Sequence, residues 1–337
     1  MLASLRQSLT RRRHSELPWE RIESALRAST DKPSTTLSVR RLAAWRSTGK
    51  VFLLEDSNAQ RFLLKRSPHA QLEAQALTRI HSAIDAAEGG VSSRLRGTVP
   101  RLLAHFEDHK CILTEFFPNT TDLSTALRRA QLQRTPEQLD EQAQKLGRWL
   151  ADFQRLWGFD ERARLLEPFE LEQRLFELER AEYSVALRAR RMLKMLELEW
   201  GLQTVTMAHG DFAPRNVLLH RNGIRVIDWE MVPSRSVPVH FDLHHFLLTV
   251  DKAGQRGPLQ GPLRRFAQQL GQSYRAQAQP GLLDDAAWAM GRTSALIMLM
   301  SRQYRALRRE RLSSVLSARR GYLRRLGEEL DAALDAV

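Results

Sequence analysis

The chain has 337 residues, 52 Lys plus Arg against 39 Asp plus Glu, a formal net charge of +13 and a single cysteine. One cysteine excludes a disulfide framework and fits a reducing compartment such as the cytosol, and the longest apolar cluster, Ala295 to Met300, is too short to span a bilayer. No apolar leader segment precedes a cleavage pattern, and the length suits two packed units rather than one.

The first 37 residues are polar, with Arg11-Arg-Arg13 and Trp19, and read as an arm or as a cap on the strands after them. From residue 38 the pattern turns to strands. Val39–Leu42 and Lys50–Leu54 flank a turn that carries Ser47, Thr48 and Gly49. Gln60–Lys65 comes after the turn residues Asp56, Ser57 and Asn58. Ser67-Pro68 reads as an N-cap with proline at the first helical position, and Leu72, Ala76, Ile80 and Ile84 recur at helical spacing with Glu73 bordering the stripe. Arg101–Phe106 and Cys111–Phe116 complete a small sheet, and Thr114 to Pro118 leads out of it.

Beyond Pro118 the periodicity is helical. Thr135-Pro136-Glu137-Gln138 is a helix start with a capping-box Gln, and Leu139, Ala143, Leu146, Leu150, Phe153 and Trp157 recur before Gly158. Residues 170–200 read as one charge-laced helix with packed leucines.

The stretch Val205 to Glu230, VTMAHGDFAPRNVLLHRNGIRVIDWE, concentrates the chemistry. An apolar run leads to Asp211 and Asn216. Two aliphatic strands joined through Arg221-Asn222-Gly223 then form a hairpin ending at Asp228. The hairpin is expected to bring Asn216 near Asp228, within reach of one cation. Phosphoryl transfer needs mostly positioning and charge neutralisation: a carboxylate to take the acceptor proton, and hard oxygen ligands for Mg²⁺. Asp211 suits the first task, Asn216 and Asp228 the second. Glu230, two residues on, points to the same side of an extended chain and reads as a metal ligand, direct or through water, or as a solvated carboxylate. Asp242 reads as an N-cap of the next helix. His240, His244 and His245 have no cysteine or carboxylate cluster at ligand spacing beside them, as a metal site would need.

HGDFAPRNVLL, with VIDWE after it, resembles the aminoglycoside phosphotransferase and choline kinase-like superfamily, relatives of the protein kinases. The resemblance implies an α+β, bilobal protein-kinase-like fold: an N-terminal extension over 1–37, an N-lobe of antiparallel sheet plus one helix over 38–117, and a larger, mainly helical C-lobe over 118–337. It implies ATP and Mg²⁺, with Asp211 as catalytic base, Asn216 and Asp228 on the metal, and His209 as a structural residue behind the loop. Lys65, one of only seven lysines beside 45 arginines, matches the strand lysine of kinases, with Glu73 as its ion-pair partner. Ser47, Thr48 and Gly49 would contact the nucleotide, and Glu115 to Phe117 resembles the segment whose backbone binds the base. By the same resemblance Asp242 also holds the catalytic-loop backbone.

Three departures stand out. Arg215 replaces a glycine common in the superfamily and reads as a phosphate contact or as one more arginine in an arginine-rich chain. Trp229-Glu230 stands where protein kinases have Phe-Gly. Gln154 stands where many members have histidine. The glycine-poor loop around Gly49 leaves open a second reading, a catalytically impaired nucleotide-binding or scaffold protein, against which the set of Lys65, Asp211, Asn216 and Asp228 argues.

The basic balance constrains partners. A site for polycationic aminoglycosides should be lined with carboxylates, yet the last 54 residues carry ten Arg against seven acidic residues. The expected acceptor is a small molecule or glycan, anionic or neutral, such as a phosphorylated sugar or a lipopolysaccharide precursor. Peripheral contact with an anionic membrane surface is compatible with this charge. No aromatic-interleaved basic motif points to nucleic acid.

Overall fold

The structure, a computed structural model, describes residues 17–29, 37–42, 50–88, 90–133, 137–162, 169–200, 203–221, 223–231, 237–254, 260–279, 283, 285–307 and 313–335. The turn at Ser47, Thr48 and Gly49, the Thr135-Pro136 helix start and the hairpin residue Asn222 lie outside these. The chain divides into two compact units, 1–121 with 218–232, and 122–217 with 233–337.

The first unit opens with helix α1 (Trp19–Ser29) and then strands β1 (Leu37–Leu42), β2 (Lys50–Asp56) and β3 (Arg61–Arg66). Helices α2 (Ala70–Ala86) and α3 (Gly90–Leu95) precede β4 (Leu102–Phe106) and β5 (Cys111–Glu115). The five strands form one antiparallel sheet in the order β1-β2-β3-β5-β4. The β2–β3 turn closes because Asp56 Oδ1 accepts the N–H groups of Asn58 and Gln60, each at 2.8 Å.

Strand alternation decides the two faces. Phe52, Leu54, Phe62 and Leu64 are buried in one cluster with Leu17, Ile22 and Leu26, so the segment from Leu17 to Ser29 caps the sheet. Helix α2 packs on β4 and β5. It begins at Ala70, later than the expected N-cap at Ser67, whose Oγ instead accepts the His69 N–H at 3.1 Å. Leu72, expected on the packed stripe, is half exposed; the buried face is Glu73, Leu77, Ile80 and Ile84, which share one side at spacings of three and four.

The second unit is mainly helical. Its elements include α4 (Leu123–Gln133), α5 (Glu137–Trp157), α6 (Phe169–Glu179), α7 (Tyr183–Trp200), α8 (Phe241–Gly254), α9 (Gln260–Gln277), α10 (Asp285–Leu307) and α11 (Ser313–Asp335). Gly158, at φ 70°, ends α5 in the left-handed conformation that glycine adopts without a Cβ penalty. Gly147 lets α5 and α9 approach: a Cβ there would lie 2.6 Å from Leu270 O.

The expected single helix over 170–200 is a hairpin of two. The chain turns at Arg180 to Glu182, with Glu182 N–H donating to Leu178 O at 2.7 Å. The break lets Leu175 and Leu178 pack in one core with Val185, Ala189 and Met192, which a continuous rod could not do. Among the described residues no helix is long and apolar enough to cross a membrane.

Candidate active site residues

The sequence-predicted site residues fall into two groups of charged side chains, one in each unit. In the first, Lys65 stands on β3 at the position paired with Ile112, and its ammonium is buried. Lys65 Nζ lies 2.8 Å from Glu73 Oε2 and 3.2 Å from Glu230 Oε2, and donates a short hydrogen bond to Asp228 Oδ1. Burial alone would lower the lysine pKa, but the fields of Glu73, Asp228 and Glu230 outweigh it and hold the amine protonated. Burial pushes the Glu73 carboxyl up, against the pull of Lys65.

The hairpin Val217–His220 and Gly223–Val226 delivers Asp228. Its Val226 N–H donates to Thr98 O at 2.7 Å, and the fully buried Trp229 donates its indole N–H to Val226 O at 2.9 Å. These contacts hold Asp228 at φ 70°, a left-handed conformation uncommon outside glycine. Ser67 Oγ donates to Glu230 Oε2 at 3.2 Å. Oxygens of Glu73, Asp228 and Glu230 all lie within 4.8 Å of one another. Three carboxylates against one ammonium leave an excess of negative charge in hard oxygen donors, which suits a divalent cation such as Mg²⁺. Glu115 ends β5, its N–H donating to Arg101 O at 3.0 Å. Phe117 is buried beneath the Arg225 guanidinium, 5.4 Å from its ring centre.

In the second unit the loop after strand Gln203–Thr206 carries His209 to Asn216. Phe212 anchors it, stacked on Trp149 at 5.6 Å and packed on Phe246 at 5.1 Å. Asp242, in the first turn of α8, does not cap its own helix. Its carboxylate accepts the N–H of His209 at 2.6 Å and of Gly210 at 3.1 Å. Complete burial pushes its pKa up to about 7, despite those two bonds. His209, fully buried, accepts the Asp211 N–H on Nδ1 at 3.3 Å.

Asp211 is buried and heavily partnered. Asn216 Nδ2 donates to its backbone O at 2.9 Å and to Oδ2 at 3.1 Å. Arg215 forms a short ion pair with Oδ2, and Arg302 Nη1, from α10, lies 2.6 Å from Oδ1. Burial would raise the carboxyl pKa, but Arg302 and Arg215 overcome it and bring it down to about 2.

Arg302 and His245 are the residues that sequence reasoning did not single out for this site. Arg302 Nη2 also donates to Gly210 O at 3.2 Å. His245 Nδ1 faces Phe212 O at 2.9 Å; a carbonyl only accepts, so Nδ1 carries the proton and Nε2 is left to accept from Arg302 Nη1 at 3.3 Å. Burial, aided by Arg302, depresses the His245 pKa to about 4. No local signal marks Arg302, which is one of 45 arginines and lies far along the chain from its partner. Of the three histidines of HFDLHH, His240 and His244 both pack against Trp288, His240 with Nδ1 2.9 Å from Tyr274 OH, while His245 turns towards Asp211 and Arg302. Gln154 accepts the Tyr274 hydroxyl at 2.5 Å and is structural.

An antiparallel sheet with its helix, a mainly helical unit and these two residue groups define a kinase-like α+β protein. The sequence matches the model of the phosphotransferase enzyme family, APH, over residues 39–280, and the chain belongs to that family. No curated protein matches it in sequence. Among solved structures, an amicoumacin kinase, hAmiN, in complex with AMP-PNP, Ca²⁺ and Ami is similar with a TM-score of 0.59 and 16% identity, covering 94% of each chain. The choline kinase LicA of Streptococcus pneumoniae is similar with a TM-score of 0.56 and 14% identity over 95% of this chain and 99% of that one. A choline/ethanolamine kinase family protein from Mesorhizobium loti gives 0.55 and 14% over 94% and 95%. At these identities the likeness is one of fold.

Proposed function

We propose that this chain is an ATP- and Mg²⁺-dependent kinase that phosphorylates a hydroxyl group of a small molecule or glycan, anionic or neutral rather than polycationic. The observation that carries the reading is the buried Lys65 ammonium bracketed by Glu73, Asp228 and Glu230, an arrangement a surface hairpin would not require. Family membership supports phosphoryl transfer, and similar folds in kinases of choline and amicoumacin support a small-molecule acceptor.

In this reading Lys65 contacts the nucleotide phosphates and Glu73 aims it. Asp228, Asn216 and Glu230 would hold Mg²⁺, which would supply charge neutralisation on the phosphates. The segment from Glu115 to Phe117 meets the base. Asp211 takes the proton of the acceptor hydroxyl as the hydroxyl oxygen bonds to the terminal phosphorus. The bond to the bridging oxygen breaks and ADP leaves. As the functional division we keep an N-lobe over 38–117 and a C-lobe over 118–337, although by contacts residues 218–232 group with the first unit.

The test is transfer from labelled ATP. Asp211→Ala should abolish it while nucleotide binding, read by thermal shift with and without Mg²⁺, survives. Undiminished transfer by that variant would remove the reading, and nucleotide binding with no transfer by the unaltered chain would instead favour a scaffold.

A further inference from the structure

The carboxylate assigned as base is outnumbered by its own partners. Asp211 carries one negative charge, and two guanidinium groups face it, Arg215 on Oδ2 and Arg302 on Oδ1. Asn216, bonded to Oδ2, is neutral, and His245, 3.9 Å from Oδ1, is held uncharged at neutral pH by burial, so neither adds to nor offsets that excess. The same imbalance recurs one turn along α10, where Glu177 is bracketed by Arg305 and Arg174, each at 3.2 Å. A polycationic acceptor would meet repulsion here and find these carboxylates already engaged.

The two arginines differ in how they are held. Arg302 is 21% exposed and fixed by three acceptors, Asp211 Oδ1, Gly210 O and His245 Nε2. Arg215 is 56% exposed and reaches Asp211 through Nη2. A guanidinium has more N–H donors than that contact uses, set in a fork that fits a carboxylate or phosphate bidentately. Arg302 is therefore a fixed positive charge, and Arg215 is a group free to exchange partners.

We propose that Arg215 and Arg302 form an oxyanion-binding site for the acceptor, so that this kinase selects hydroxylated molecules bearing a carboxylate or phosphate. The inference deepens the phosphotransferase reading and rests on it. The acceptor's oxyanion takes the place of Asp211 Oδ2 on Arg215, and the freed oxygen then accepts the proton of the neighbouring hydroxyl. Binding of an anionic acceptor thus releases the base, while a neutral or cationic molecule leaves it paired.

The test uses hexoses that differ in charge: glucose, glucosamine, glucuronic acid and glucose 6-phosphate. Each is offered to the full chain with labelled ATP and Mg²⁺, and its binding is measured by calorimetry. Glucuronic acid or glucose 6-phosphate should bind and react at least ~10-fold better than glucosamine, a difference of about 1.4 kcal/mol. Arg215→Ala should reduce that preference by a similar factor, with Arg215→Lys intermediate because it keeps charge but loses the fork. Arg215 is half exposed, so its variants should fold, and Mg²⁺-dependent ATP binding by each variant verifies that they do. Equal values across the series, a preference for glucosamine, or no binding of either anionic hexose overturns the inference while leaving ATP turnover intact. Failure of the unaltered chain to bind Mg²⁺-ATP overturns the phosphotransferase reading itself.

Discussion

Asp242 holds Gly210: the carboxylate at the start of α8 accepts the glycine N–H at 3.1 Å, 32 residues away in sequence, and accepts the adjoining His209 N–H at 2.6 Å. Two consecutive amides are thus tied to one buried acid, which fixes the backbone immediately before Asp211. Asp242→Ala should lower the transfer rate by about 10- to 100-fold through loss of positioning, with nucleotide affinity changed far less. Single-turnover and binding measurements on the variant separate the two effects.

The same residue sets a pH dependence. Its folded pKa, about 7, lies above the ordinary 3.8, so between those values the folded chain binds the proton more tightly than the unfolded one. Stability from this group is therefore greatest below about 4 and falls as pH rises towards 7. Thermal midpoints of Asp242→Asn across that range should show a shallower decline than those of the unaltered chain.

Asp211 works in the opposite sense. Its pKa is brought down to about 2 by Arg302 and Arg215, so its contribution is present above 3.8 and is lost as pH falls towards 2. Arg302→Met should weaken that acid-side loss and lower the transfer rate more than it raises the acceptor KM. Arg302→Lys should recover part of the rate. Acid unfolding curves and steady-state kinetics on both variants check this.

Lys65→Met should leave the carboxylates of Glu73, Asp228 and Glu230 facing one another without a cation. Breaking a buried pair in this way costs about 3–5 kcal/mol, read as a lower thermal midpoint. Added Mg²⁺ should restore more stability to this variant than to the unaltered chain, because a divalent ion relieves the same repulsion.

Gly147→Ala tests packing away from the chemistry. The new methyl would meet Leu270 O at 2.6 Å and Tyr274 N at 2.8 Å, both backbone atoms that cannot swing aside. Overpacking of this kind costs about 1–3 kcal/mol, visible as a reduced denaturation midpoint with the ATP-binding response retained.

The strands of the first unit and the long helix Glu137–Trp157 were legible because periods of two and about four residues are written into local sequence. So was the motif from His209 to Glu230, whose chemistry is compact along the chain. Local reading failed where distant contacts chose between local options. Ser67 bonds Glu230 rather than capping a helix at its expected start, Leu72 yields the buried face to Leu77, and residues 170–200 break into two helices so that both can bury leucines. Residue type and spacing along the chain marked the side chains expected to serve phosphoryl transfer. That Arg302, 91 residues beyond Asp211, pairs with its carboxylate follows from the folded arrangement alone, since an ion pair depends on distance in space and carries no periodic signature along the chain.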